Sequence, residues 1–209
     1  MRVLALSTSP RKGGNSETLL RYAVEGAKSV GLTCESLSLS DYGIAPCRAC
    51  GKCEEKGFCV IEDDFRSLHE KIQKCDRFLI STPVYFMSLP AQAKALVDRT
   101  QSVWNGYELK ENSRKRKRNK TASAIVVSAK RGKMALRSIK LIFRYSLDVL
   151  GFEYECNLHI SGVDRFGEIL ECPTALDSAY TLGCSLESEP SAEEKKPRNI
   201  HVGCQVSCG

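Results

Sequence analysis

What most restricts the fold of this chain is the rhythm of its apolar residues. Short runs with strand character alternate with stretches of helical period along most of its length. "RVLALST" (2–8) reads as a short buried strand, and from Ser16 onward Leu19, Leu20, Ala23, Val24 and Ala27 recur at helical spacing until Gly31. "TCESLSL" (33–39) alternates as a second strand, and "RFLIST" (77–82), "TASAIVVSA" (121–129) and "FEYECNLHI" (152–160) supply three more. Between them the pattern predicts a helix from about Asp63 to Lys74 with Phe65, Leu68 and Ile72 inward. Another opens at Leu89-Pro90, with Ala93, Leu96, Val97 and Trp104 on its apolar face, and two more cover 133–150 and about 173–183. Five strands separated by helices imply an α/β fold, a doubly wound parallel sheet with helices on both faces. Periodicity does not fix the strand order.

A chain of 209 residues suits one large domain and buries roughly 70% of its unfolded surface without staples. The expected domain covers 1–184, with a polar tail over 185–209 that begins near "SEPSAEEKKPRN". No apolar run approaches the ~20 residues of a membrane span, and the first residues lack a signal h-region and cleavage site, so a cytoplasmic location is expected. The net charge is +6, and the basic run Arg114 to Lys120 reads as a solvated loop. It has no interleaved aromatics, so neither a nucleic-acid nor a membrane partner is expected.

Two segments carry the chemistry. "STSPRKGGNS" (7–16) joins the first strand to the first helix, where an open α/β sheet binds ligands and a helix N-terminus attracts phosphate. Gly13 and Gly14 let the backbone approach, Ser9, Asn15 and Ser16 are hydrogen-bond donors, and Arg11 adds a charge. The loop is neither GxGxxG nor a Walker loop. "PCRACGKCEEKGFC" (46–59) places Cys47, Cys50, Cys53 and Cys59 in a connection without a clear period, and so long a connection needs an organiser. Eleven cysteines with no export signal read as metal or redox groups before disulfides. Zinc more often takes two separated C-x2-C pairs, whereas a compact C-x2-C-x2-C run suits a [4Fe–4S] cubane. The cluster stands ahead of zinc and of free or bridged thiols, which stay open.

At these residues the chain resembles the flavodoxin-like flavin reductases. Ser9, Arg11, Gly14, Asn15 and Ser16 fit that family's phosphate loop. Pro83, Val84 and Tyr85, with Phe86 following, fit the segment that wraps the flavin ring, and Lys94, Asp98 and Arg99 fit a helix motif further on. From spacing alone Lys94 and Asp98 read as a structural ion pair. The cysteine run added to the flavin loop is similar to the iron–sulfur flavoproteins. That resemblance implies flavin mononucleotide (FMN) in the loop and a [4Fe–4S] cluster on Cys47, Cys50, Cys53 and Cys59. It also implies a homodimer or homotetramer in which the cluster lies near a neighbouring subunit's flavin. The implied activity passes electrons between a reduced carrier such as ferredoxin and a small-molecule acceptor. Alternatives are an NAD(P)H-dependent FMN or quinone reductase, and a substrate-specific dehydrogenase like a relative that oxidises an aminodeoxychorismate ring. A non-enzymatic redox sensor or metal-binding module is a further alternative.

Where relatives carry a Gly-Gly-rich turn after the fourth strand, this chain reads "SAKRGKMALR" (128–137). Ser128, Ala129 and Gly132 are expected to line the flavin, and Lys130 and Arg131 to meet an anionic substrate or a nicotinamide phosphate. No catalytic residue is assigned. His69 is expected on a polar helix face, and His159 and His201 fit no ligand spacing. Cys34, Cys75, Cys156, Cys172 and Cys184 read as small buried hydrophobes. Cys204 and Cys208 read as free thiols of the tail, with a subunit-reaching redox or metal pair as the sharper alternative.

Overall fold

The computed structural model describes residues 1–109, 120–129, 134–188 and 198–204. In chain order the elements are β1 (Arg2–Ser7), α1 (Asn15–Ser29), β2 (Thr33–Ser38), α2 (Lys52–Lys56), α3 (Phe65–Lys74), β3 (Arg77–Pro83), α4 (Ala91–Arg99) and α5 (Gln101–Glu108). They continue with β4 (Thr121–Ser128), α6 (Met134–Val149), β5 (Glu153–Ser161), α7 (Pro173–Ser185) and β6 (Arg198–Gly203). All strand pairs are parallel, in the order β2-β1-β3-β4-β5-β6.

The sheet thus has six strands, not the expected five. "RNIHVG" pairs with β5 from Cys156↔Arg198 to Ser161↔Gly203, so part of the segment read as a polar tail is an edge strand. Cys172, just before α7, forms a disulfide with Cys204, just past β6. Both are buried, which corrects the reading of Cys204 as a free thiol. Cys208 lies outside the described residues.

Alternation sorts the strand side chains to two sides. Val3, Ala5, Leu79, Ile125, Leu158 and Ile160 pack under α1 and α7, while Leu4, Leu6, Phe78, Ile80, Ala124 and Val126 pack under α3, α4 and α6. α1 and α7 lie against each other through Gly26 and Gly183. A Cβ on Gly183 would sit 1.9 Å from the Ala23 carbonyl oxygen. The helix expected from Pro90 through Trp104 is divided at Thr100, whose hydroxyl donates back to the Val97 carbonyl at 2.7 Å. Trp104 is 40% exposed and therefore not part of the inward face assigned to it. No helix among the described residues is long and apolar enough to cross a membrane.

Candidate functional site

Two separate cavities hold most of the residues singled out by sequence. The first lies beyond the carboxyl ends of β1, β3 and β4. Ser9, Arg11, Gly14, Asn15, Ser16, Pro83, Val84 and Tyr85 all line it, together with Val127 and Ala129. The Ser9 hydroxyl accepts from the Arg11 amide and donates to the Arg11 carbonyl, both at 3.0 Å, which folds the loop back on itself. Gly14 then caps α1, and no side chain caps that helix. Its first-turn amides form an anion cradle of the kind phosphate occupies. A Cβ on Gly14 would fall 3.2 Å from the Arg11 carbonyl and 3.5 Å from the Ser9 hydroxyl, so the cradle tolerates little bulk there.

Sequence reasoning missed the opposite wall, made by Val163, Asp164 and Phe166 between β5 and α7. Asn15, expected to face a phosphate, fastens that wall. Its Nδ2 donates to the Arg165 carbonyl at 2.8 Å, and its Oδ1 accepts from the Ile169 amide at 3.3 Å. Glu168 accepts from the Asp164 and Arg165 amides, and these bonds hold its carboxyl below the usual range. Only about 80 Å³ is enclosed, small against the ~300–1,000 Å³ of an ordinary ligand pocket, so a mononucleotide here would lie partly in the open.

Tyr85 belongs to a tight turn in which the Tyr85 and Ser88 backbones bond each other, each at 2.9 Å. The two central residues, Phe86 and Met87, carry φ of +48° and +60°, a left-handed conformation uncommon outside glycine. This turn points Phe86 fully into solvent, away from the cavity expected to hold it. Ser128 is likewise not in the lining. Its buried hydroxyl meets His159 Nε2 at 2.9 Å, and His159 Nδ1 meets His201 Nδ1 at 3.2 Å. Burial, then the facing His201, pushes His159 down to about 4. Lys130, Arg131 and Gly132 lie outside the described residues, as do residues 114–119 of the basic run.

The second cavity, about 200 Å³, is lined by all four cysteines of the run: Cys47, Cys50, Cys53 and Cys59. Ala49, Gly51 and Gly57 turn the chain with positive φ, and α2 is the single helical turn between them. The organiser is Arg99, which the family motif groups with Lys94 and Asp98. Those two do form an i,i+4 pair at 2.6 Å, but the Arg99 guanidinium is buried elsewhere. Its Nη1 donates to Asp63 Oδ2 at 2.7 Å and to the Ala45 carbonyl at 2.8 Å. Its Nη2 donates to Asp63 Oδ1 at 3.0 Å and to the Ile61 carbonyl at 3.4 Å. One side chain therefore ties together the chain before Cys47 and the chain after Cys59. Burial works to raise the Asp63 carboxyl, but Arg99 and the amides of Ala45 and Phe65 hold it below its ordinary value.

Donors reach the sulfurs as well. Asn105 Nδ2 donates to Cys53 Sγ at 3.1 Å, and the Ala49 amide donates to Cys47 Sγ at 3.5 Å. N–H donors of this kind suit a sulfur that carries negative charge. Among the described residues no three His, Cys, Asp or Glu side chains converge to metal-binding distance. The remaining thiols differ in kind. Cys75 is pushed up to about 12, chiefly by burial, and is an inert packing residue. His69, expected on a polar face, stacks on Phe65 with ring centroids 5.9 Å apart.

A family model described as NADPH-dependent FMN reductase matches residues 1–151. An iron–sulfur flavoprotein of Methanosarcina thermophila is 42% identical over 100 residues, 48% of this chain and 52% of that protein, so this match spans about half of the relative's length. An iron–sulfur flavoprotein of Methanocaldococcus jannaschii is 34% identical over 147 residues, 70% of this chain and 72% of that one. The NAD(P)H:quinone oxidoreductase of Methanothermobacter marburgensis superposes with a TM-score of 0.70 at 22% identity, covering 90% of this chain and 98% of its own, a likeness of fold. The chain is a member of the flavodoxin-like FMN reductase superfamily, and within it belongs to the iron–sulfur flavoproteins.

Proposed function

We propose that this chain is an oxidoreductase that holds FMN in the cavity at α1 and a [4Fe–4S] cluster among Cys47, Cys50, Cys53 and Cys59. It passes electrons between a reduced carrier of the ferredoxin type and a small acceptor. The observation that carries this reading is the convergence of all four cysteines on one cavity whose walls aim N–H donors at sulfur. For the flavin, support comes from the uncapped α1 N-terminus beside Arg11 and from the apolar rim of Pro83, Val84 and Tyr85. When bound, flavin exchanges two electrons or one, and the cluster exchanges one. The chain's own contribution is to fix the phosphate end at α1, shield one side of the ring site with Tyr85, and bring four cysteines to the wall of one cavity. The two cavities share no lining residue. The assembly proposed with this reading is a homodimer or homotetramer in which the cysteine cavity of one copy would lie near the α1 cavity of the next.

A plain NAD(P)H-dependent FMN reductase is the second reading. It is favoured by a putative NAD(P)H-dependent FMN-containing oxidoreductase of Bacillus subtilis, 25% identical over 184 residues and matched over 96% of its length. Anaerobic purification followed by iron, sulfide and flavin analysis separates the two. The expected result is FMN together with four irons and four sulfides per chain, with Cys50→Ser losing the iron and keeping the flavin. Flavin without iron in the unaltered protein, with rapid reduction by NADPH, would establish the plain reductase.

A further inference from the structure

We infer that Asn105, on α5, sets the reduction potential of the group held by the cysteine run, with Gln101 as its positioning residue. This rests on the cluster reading above. Asn105 is 8% exposed, and its amide lies between two partners. Gln101 Nε2 donates to Asn105 Oδ1 at 3.0 Å, one turn back along the helix. That bond occupies the oxygen and turns Nδ2 toward Cys53 Sγ, 3.1 Å away. Neither residue belongs to the cysteine run or to any spacing that marks it.

The close approach of α5 has its own cause. The next residue is Gly106, where a Cβ would stand 2.4 Å from the Gly57 carbonyl oxygen. Only a bare Cα at 106 lets α5 seat against the end of α2, and that seating brings the Asn105 amide to Cys53. The neighbouring sulfur contact is of another kind, since the Ala49 amide is backbone, and the Arg99 guanidinium is committed to Asp63 and two carbonyls. Asn105 is therefore the neutral side-chain donor on the sulfurs, among the described residues.

The direction of its effect follows from charge. Reduction adds one electron and no proton, and it makes the ligand sulfurs more negative. An N–H aimed at a sulfur stabilises the reduced state more than the oxidised one and so raises the potential. A hydrogen bond to a charged acceptor contributes enough to change the one-electron reduction equilibrium about tenfold, which corresponds to about 59 mV.

The test is an anaerobic redox titration of the iron–sulfur-loaded protein, followed by electron paramagnetic resonance, on the unaltered chain, Asn105→Ala and Gln101→Leu. Iron and sulfide are assayed on each sample, and the flavin potential is followed in parallel. The expected outcome is a reduction constant about tenfold lower in Asn105→Ala. Gln101→Leu should fall in the same direction by less, because it keeps the donor but frees the amide to rotate. The flavin potential should stay unchanged. Should Asn105→Ala fail to assemble its iron, Gln101→Leu, which removes no sulfur contact, decides the matter through its own shift. An unchanged cluster potential in an iron-loaded variant overturns this inference alone. Absence of iron in the unaltered protein overturns the cluster reading together with it.

Discussion

At the scale of single residues, Arg99 carries the most consequence. Its guanidinium is 1% exposed, makes a two-pronged pair with Asp63, and lies 4.7 Å from the centre of the Phe65 ring. A charge so deeply placed is tolerable only with partners, and removing one partner leaves the other stranded. Arg99→Met is expected to cost about 3–5 kcal/mol in urea unfolding and to abolish iron loading. Arg99→Lys should lose most of the same, because an ammonium cannot replace a planar fork that serves a carboxylate and two carbonyls. A midpoint within experimental error of the unaltered protein would count against this role. The sequence displayed Arg99 but not its work. It stands one residue from Asp98, which invites a reading as part of the Lys94–Asp98 pair, while its true partner Asp63 is far away in the chain. Asn105 was hidden for the same reason, since its meaning depends on Cys53, more than a dozen helical turns of sequence earlier.

Among elements, β6 departs most from expectation. Its six residues offer only Ile200 and Val202 as strand-forming apolar positions, and most of its side chains are exposed. An edge strand of this kind is specified by the partner already in place, not by its own pattern. The strands β1, β3, β4 and β5 were legible because burial on both faces leaves nearly continuous apolar runs. What joins β6 to β5 on one side of the sheet includes the facing pair His159 and His201, with Asn157 bonded to Asn199 at 3.3 Å and Lys140 of α6 reaching Asn199 at 3.3 Å. His159 titrates at about 4 when folded, below the ~6.5 of an unfolded chain. Between those values the unfolded chain binds a proton that the folded one refuses. Stability is therefore full above about pH 6.5 and declines as pH falls through the window toward 4. Urea midpoints measured at pH 7 and pH 5 should record that decline, up to about 3 kcal/mol across the whole window, and His159→Gln should flatten it. A slope that persists in the variant would assign the pH dependence to other groups.

Across the whole molecule, one parallel sheet separates two tasks. The loops after β1, β3, β4 and β5 build the anion cradle, while the long connection after β2 builds the cysteine cavity against α4 and α5. The loop between β1 and α1 was legible as a cavity wall because a strand, a glycine pair and a helix start coincide in ten residues. The opposite wall at Val163, Asp164 and Phe166 was not, since nothing local distinguishes it from any surface turn. Deleting everything after Ser188 tests whether the end of the chain belongs to the domain. The deletion removes β6 and the Cys172–Cys204 link and bares the β5 edge, so light scattering should show aggregation and the melting point should drop. A monodisperse, equally stable product would return that segment to the status of a dispensable arm. The mooring of Ala45 and Ile61 to one guanidinium has a last consequence, for the loss and return of metal. Because Arg99 joins both ends of the cysteine segment through protein contacts, removal of iron from the proposed cluster is expected to leave those ends moored, so that metal could be restored without the polypeptide having to fold again.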